Sequence, residues 1–392
     1  MSKMDKKMYL PNYKDGSIVN LMSSIGRVLG WKSRYKPLKG LDLKLLKRRN
    51  VILIVIDGLG YEFLERYGKG SFLEKNLKQK ITSVFPATTA SAVTTLLTGV
   101  APQQHGLTGW FMNLNEIKKV AAVIPMIVRG EDKPKKINKN QTNGIYDYQS
   151  FFERIKVNSY AITHKDFITS QYTKSINKKA KVSSCQDSDG FIEAIKKVVR
   201  SGNHKKFINA YWAEFDYHSH TKGPFDDFSI KHFHELDRKI ESLAEYLKDT
   251  DSVLIVTADH GLIERKEEEK VIILNDYPKI YETLECPISG DTRTVYCYVK
   301  NSMKKQFEAY VKKDLKNVCI MRKSQDLIKE NYFGLFGKNK KLSQRVGNYT
   351  LLAKDSYIIK DRVPNEKMNV YIGNHGGLSK EEMFVPLIIV SL

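Results

Sequence analysis

The sequence predicts an α/β fold: a central, mostly parallel sheet with helices on both faces, and a smaller α+β cap inserted into it. Three observations carry this. Four segments, "VILIVIDG", "FINAYWAEFD", "SVLIVTADHG" and "MNVYIGNHGG", share one design, an apolar stretch running into a potential metal ligand that is usually followed by glycine. Between them lie stretches with apolar residues at three-to-four spacing, and strand–helix alternation gives a parallel sheet. Residues 263–368 separate the third segment from the fourth, which leaves room for a cap.

The bulk properties agree. The chain has 392 residues and 41% hydrophobic content, enough for a large core and more than one domain's worth by size. No apolar run approaches the length of a membrane span. The N-terminal "MSKMDKKMYLPNYKDG" has no apolar core of a secretory signal. The four cysteines (Cys185, Cys286, Cys297, Cys319) form no CxxC pair, which argues against a thiolate zinc site and a disulfide framework. A cytoplasmic location is therefore expected. The net charge of +21 attracts phosphates, nucleic acids or anionic membranes. Residues 301–345 concentrate it, with twelve Lys and Arg against Glu308, Asp314, Asp326 and Glu330. A solvated lysine-rich surface is the expectation there.

In chain order, residues 1–262 read as the first part of the core, with a helical extension over 1–50. Within it "SIVNLMSSIGRVLG" places Ile18, Leu21, Ile25, Val28 and Leu29 on one helical stripe. "VILIVIDG" and "SVLIVTADHG" are apolar on both alternating faces, as in buried parallel strands. "FPATTASAVTTLLTG" predicts a helix after Pro86, with Val93, Leu96 and Leu97 buried and Gly99 as its C-cap. Residues 110–150, with "EDKPKKINKNQTN", read as an insertion or mobile loop. "GFIEAIKKVVRSG" (190–202) and "FHELDRKIESLAEYLKD" (233–249) are helical connections. Within the cap, "RTVYCYVK", "SMKKQFEAYVKKDL" and "NVCIMRK" read as strand, helix and strand. Residues 369–392 return to the core with its final strands.

Open α/β sheets place their sites at the C-terminal ends of strands. Those ends here supply Asp57, Asp216, His220, Asp259, His260 and His375. Three carboxylates and three imidazoles suit zinc or manganese. Six are too many for one catalytic zinc and suit two ions with three ligands each. Such a site attracts an anion, and a phosphoryl group fits. His218 is a rival for His220, whereas His105, His164, His204, His232 and His234 are assigned structural or surface roles. Thr88 and Thr89 fall at a helix N-terminus, where free N–H groups and the dipole favour an anion. A two-metal phosphoesterase can use an activated water or a side-chain alkoxide as nucleophile.

The set "VIDGLG", "FPATTASAVTTLLTGVAPQQHGLTGW", "AEFDYHSHTKGP", "VTADHG" and "GNHGGLSKEEMFVPLIIV" resembles the alkaline phosphatase superfamily, and within it the type I phosphodiesterase/nucleotide pyrophosphatase family. The motifs run from Val51 to the C-terminus in the family's order. The resemblance implies an alkaline phosphatase-like core and two divalent metal ions, zinc with manganese as the alternative. It implies Asp216, His220 and His375 as ligands of one ion, and Asp57, Asp259 and His260 as ligands of the other, which also binds the nucleophile. The nucleophile position falls on Thr89, with Thr88 as runner-up, and the implied path is a phosphothreonine that water hydrolyses. The implied substrate is a small anionic phosphodiester or nucleotide.

One departure is Ala92, where the pyrophosphatases carry a phosphate-contacting Asn. Ser91, Asn374 or a backbone N–H would replace it. The Arg that phosphomonoesterases carry after the nucleophile is also missing, which favours diesters. Arg293 in "SGDTR" is either a contact to a substrate anion or a cap salt bridge. A phosphomonoesterase or phosphonate-ester hydrolase on the same core is the alternative. A non-catalytic basic protein binding nucleic acid or anionic lipid is the reading from another class, but no helix-turn-helix, RNP or zinc-finger pattern supports it.

Overall fold

A computed structural model describes residues 8–131, 144–265 and 267–392 of the chain. After the helix α1 (Ile18–Val28) the chain enters the core sheet with β1 (Asn50–Ile56) and β2 (Leu77–Thr82). The helix α2 (Thr89–Thr98) follows. The chain then leaves the core for three short strands, β3 (Phe111–Leu114), β4 (Lys119–Ala122) and β5 (Ile127–Val128). It returns with β6 (Asn158–His164) and β7 (Ala180–Cys185), the helix α3 (Ser188–Arg200), and β8 (Lys206–Trp212). Two helices, α4 (Glu214–Lys222) and α5 (Asp227–Leu247), lead to β9 (Ser252–Thr257).

A second excursion holds β10 (Ile263–Glu264), β11 (Val271–Ile273), β12 (Ser289–Gly290) and β13 (Thr294–Cys297). The helix α6 (Lys304–Asp314) and the strands β14 (Cys319–Lys323), β15 (Tyr349–Ala353), β16 (Ile358–Lys360) and β17 (Gly373–Asn374) complete it. The chain closes on β18 (Phe384–Ser391) in the core.

The core sheet has the order β2-β18-β9-β1-β8-β6-β7. β9, β1, β8, β6 and β7 are mutually parallel, and β18 runs antiparallel to β9 and β2. Every residue of β1 and β9 is buried, as two-sided coverage by helices requires. α1 buries Ile18, Val19, Leu21, Met22 and Ile25, so its apolar stripe packs inward, partly on α2. α2 ends as expected at Gly99, which is left-handed at φ 72.

The second sheet has the order β14-β15-β13-β12-β3-β4-β5 and is antiparallel throughout. It corrects two expectations. Residues 111–128 are not a loose insertion. They form β3, β4 and β5, whose Met112, Leu114, Val120 and Ala121 are buried. Part of the segment read as a mobile loop, residues 132–143, lies outside the described residues. Nor is "MNVYIGNHGG" a core strand. Only Gly373–Asn374 pair, with Ile263–Glu264, while Met368 and Val370 are exposed. With no strand on either side to bury them, the apolar residues of this segment lie on the surface.

Phe85, Ala87, Leu378 and Met383 from the core meet Tyr296 and Leu352 from the second sheet, and Leu327 from a short helix beside it, in one apolar cluster. A buried ion pair, Arg293 Nε to Glu382 Oε1 at 2.7 Å with Nη2 to Oε2 at 3.0 Å, crosses the same boundary. The paired geometry is the bidentate one that suits a desolvated Arg–carboxylate contact. Among the described residues no helix is long and apolar enough to cross a membrane.

Candidate metal centre and active site

Three neighbouring core strands deliver the site. Asp57 follows β1 and its amide donates to Trp212 O at 2.8 Å. Gly58 makes the next step at φ +77, and a Cβ there would lie 3.0 Å from Asp216 Oδ1, so glycine lets the strand end turn beside that carboxylate. Asp259 and His260 follow β9. Asp216 and His220 sit one turn apart on α4, just beyond β8, rather than at the strand end itself. His375 arrives from the turn after β17.

The six ligands form two triads. The donor atoms of Asp216, His220 and His375 lie within 4.8 Å of one another, and so do those of Asp57, Asp259 and His260. In the first, His220 Nε2 is 3.2 Å from Asp216 Oδ2 and 3.2 Å from His375 Nε2. In the second, His260 Nε2 is 3.3 Å from Asp57 Oδ1 and 3.4 Å from Asp259 Oδ2. The His260 and His375 rings stack at 4.0 Å, so the triads abut.

The donor set fits divalent ions on three counts. His220 Nδ1 is held by Gly373 O at 2.7 Å and His260 Nδ1 by Gly261 O at 3.1 Å, which turns each Nε2 lone pair into the site. Each carboxylate keeps one oxygen occupied by protein. Asp259 Oδ1 accepts from the Gly58 and His260 amides, Asp57 Oδ2 accepts from the Tyr211 hydroxyl, and Asp216 Oδ2 faces His220. The other oxygens, Asp57 Oδ1, Asp216 Oδ1 and Asp259 Oδ2, are buried with no hydrogen-bond partner among the described residues. Buried anionic oxygens without a partner are costly and call for cations.

The electrostatics say the same. Burial, then the Asp259 and Asp216 carboxylates, push Asp57 well above the usual carboxylate range. Burial works the same way on Asp216, but the His220 imidazole outweighs it and holds Asp216 below that range. Burial would lower His220, yet the Asp216 carboxylate beside it brings it up to about 9. Burial drives His375 well below its ordinary value and keeps it neutral, the form in which imidazole binds a metal.

The two threonines part company here. Thr88 is the N-cap of α2, and its hydroxyl donates to Asp291 Oδ2 at 2.5 Å. Thr89 is the first helical residue, and its Oγ1 lies 3.2 Å from His260 Nε2. Ser91 is turned away and donates to Leu107 O at 3.1 Å. Ala92 is fully buried in the core. Asn374 lines the cleft while its amide donates to Tyr371 O and Ile372 O. Arg293 spends its guanidinium on Glu382 and Tyr357 O, so the structure matches the cap salt bridge rather than the substrate contact. His218 faces away from both triads, on the opposite side of α4 to His220.

The cleft over Thr89 has two lobes. One, of about 350 Å³ and called the polar lobe for its charged side chains among apolar ones, includes Arg129, Lys360, Lys367 and Asn369. The other, of about 260 Å³, is lined by Val93, Leu97, Phe167, Tyr172 and Tyr217. Trp110 borders both. Arg129 is committed to Asp361 at 2.8 Å and Glu366 at 2.9 Å, whereas Lys360 has no hydrogen-bonded partner among the described residues. Asp291, Trp110, Tyr211 and Lys360 were not foreseen from the sequence. Trp110, Tyr211 and Asp291 lay within quoted stretches without being singled out, Asp291 in "SGDTR" where Arg293 drew attention instead, and Lys360 lay outside all of them.

The profile of the type I phosphodiesterase/nucleotide pyrophosphatase family matches residues 51–378. The chain belongs to this family. Type I phosphodiesterase/nucleotide pyrophosphatase proteins are hydrolases that depend on divalent metals, and the matched span contains all six triad residues and Thr89. No curated protein matches the chain by sequence. Among solved structures, murine ectonucleotide pyrophosphatase/phosphodiesterase 5 is 17% identical with a TM-score of 0.64, covering 86% of this chain and 87% of that one. An inactive form of it carrying a Thr-to-Ala substitution, in complex with AMP, gives 17% and 0.63 over the same shares. Phosphonoacetate hydrolase from Sinorhizobium meliloti in complex with phosphonoformate is 15% identical with a TM-score of 0.66, covering 92% of each chain. These likenesses establish a shared fold.

Proposed function

We propose that this chain is a two-metal phosphodiesterase that acts on small anionic phosphodiesters or nucleotides, with Thr89 as nucleophile. The observation that carries the reading is the Thr89 hydroxyl at a helix N-terminus, 3.2 Å from His260 Nε2 and beside two His/Asp triads. Asp216, His220 and His375 would hold one ion; Asp57, Asp259 and His260 would hold the other. Bound there, zinc-class ions would neutralise phosphoryl charge and lower the pKa of a hydroxyl.

The chain's own residues account for the rest. Thr89 Oγ attacks phosphorus in line, the P–O bond to the leaving group breaks, and the departing oxygen takes up a proton in exchange for the one Thr89 loses. Water then cleaves the Oγ–P bond, releases a phosphate monoester and restores the hydroxyl. The N-terminus of α2 stabilises the phosphorylated Thr89 through its dipole and amides. The inactive Thr-to-Ala form of the murine neighbour is consistent with a threonine in this role.

Ala90 follows Thr89 on α2, so no guanidinium stands there to meet a terminal phosphate. Diesters are therefore preferred to monoesters. The apolar lobe suits a planar or apolar group on one side of the phosphorus, and the AMP complex of the murine neighbour makes a nucleoside a candidate. Lys360, with no hydrogen-bonded side-chain partner among the described residues, suits a second anionic group on the other side. All four cysteines are free, which supports placing the enzyme in a reduced compartment such as the cytoplasm.

The test is metal content with turnover. Purified protein should carry two transition-metal ions per chain and release nitrophenol from bis-nitrophenyl phosphate. One ion or none in metal-replete protein, or a chain inert toward every diester, would refute the reading.

A further inference from the structure

The face of α4 turned away from the catalytic centre carries a third group of ligand-type side chains. Asp216 and His220 point toward the main triads. Glu214 and His218, each offset from them by two positions, project to the other side of the helix. Against that side α5 sets His232. One donor atom from each of Glu214, His218 and His232 lies within 4.8 Å of the others, the same closeness as in each catalytic triad.

The chemistry is that of a metal site. Two imidazoles and one carboxylate form a donor set that zinc takes with water in the remaining position. Glu214 and His218 are one helical turn apart, the spacing that lets two ligands share an ion. All three residues are half-buried. The ring environment is built rather than loose. His218 and His232 meet edge-to-face at 4.9 Å, Phe228 packs on His218 at 4.8 Å, and the Trp212 indole stacks on His232 and donates to its Nε2 at 3.2 Å.

A plain polar patch would satisfy itself. In such a patch the carboxylate would accept from an imidazole N–H. No such bond forms here: neither the Glu214 carboxylate nor a ring nitrogen of His218 has a hydrogen-bond partner among the described residues. Three ligand atoms converge without bonding one another, as they do around an ion.

We propose that Glu214, His218 and His232 form a third metal site, for one zinc-class divalent ion, that ties α4 to α5 behind the catalytic centre. The ion competes with the Trp212 indole N–H for the lone pair of His232, so this site is weaker than the two main ones. The same competition places an indole beside the ion, and Trp212 fluorescence reports its occupancy.

The experiment compares zinc per chain after equilibrium dialysis in buffered free zinc for the wild type and three near-isosteric variants, Glu214→Gln, His218→Gln and His232→Gln. Each folded variant should hold one zinc fewer than the wild type. Titration of the wild type with a quenching ion, Ni2+, should show a phase in tryptophan emission that Glu214→Gln lacks. Equal zinc content in the wild type and all folded variants would overturn the proposal. Should the two-metal catalytic reading be wrong instead, the wild-type and variant counts fall together and the difference of one remains.

Discussion

The Thr89 hydroxyl lies 3.2 Å from His260 Nε2, the nitrogen left free because Nδ1 of the same ring is held by Gly261 O. Its neighbour Thr88 is bonded to Asp291 and points elsewhere. Thr89→Ala should therefore lower kcat by several orders of magnitude, the scale of losing a covalent nucleophile, with metal content unchanged. Thr88→Ala should lose far less. Steady-state kinetics on bis-nitrophenyl phosphate checks both. Full activity in Thr89→Ala would point to a water nucleophile, and inactivation by Thr88→Ala alone would move the role one residue back.

Chelation should cost stability as well as activity. Three buried carboxylate oxygens, on Asp57, Asp216 and Asp259, have no hydrogen-bond partner among the described residues, so ions that bind the folded state alone stabilise it by mass action. Removal of metal should lower Tm, and added zinc should restore both Tm and turnover. An unchanged Tm in fully stripped protein, measured by calorimetry, would show that the triads hold no ion.

With Ala90 rather than an Arg following the nucleophile, kcat/KM on bis-nitrophenyl phosphate should exceed that on nitrophenyl phosphate. A monoester turned over equally well would mean that some cation of the cleft already serves a terminal phosphate.

Lys360 is the natural test of that cleft. A cation lining the polar lobe with no hydrogen-bonded side-chain partner among the described residues is available to an anionic substituent. Lys360→Met should raise KM about tenfold, the scale of one charge-assisted hydrogen bond, for substrates with a second anionic group such as a dinucleoside polyphosphate. It should leave bis-nitrophenyl phosphate nearly unaffected. Equal effects on both substrate types would assign Lys360 to folding rather than recognition.

His105 gives a pH prediction. It is fully buried, accepts from the Leu107 amide at Nδ1 and meets Thr95 Oγ1 at 3.1 Å. Burial brings it down to about 3 from its ordinary value of 6.5. The unfolded chain binds a proton here first, so the stability from a neutral His105 is present above pH 6.5. It is lost as pH falls toward 3, by about 1.4 kcal/mol per pH unit. Urea midpoints at pH 7.5, 6 and 5 should fall for the wild type and fall less steeply for His105→Gln. Parallel slopes would show that His105 does not titrate in this way.

Where chemistry and local structure coincide, the site could be read before the fold was known. β1 and β9 are apolar runs that stop at Asp57 and Asp259, and Pro86, the threonine pair and Gly99 frame α2 without tertiary help. His375 was also found, although the segment before it pairs over only two residues, because the ligand is marked by its glycines rather than by a strand. β3 to β5 were missed. They span four, four and two residues, too short for a period-two pattern to stand out, and the strand that borders β3 lies at Ser289–Gly290. Lys360 lies in no motif, and nothing in "SGDTR" marks Asp291 as a site residue. Each is a single polar residue that the second excursion of the chain brings to the cleft over Thr89.

That sheet is assembled from two excursions of the chain, joined where Gly290 meets Phe111. It is therefore not a cassette. Excising residues 263–368 would strip β3 of its neighbour and bare a row of unpaired amides and carbonyls, the kind of edge that invites self-association. It would also leave Glu382 buried without Arg293. Any exchange of substrate-facing parts between relatives has to move both excursions together, with Arg293 and its carboxylate matched across the graft.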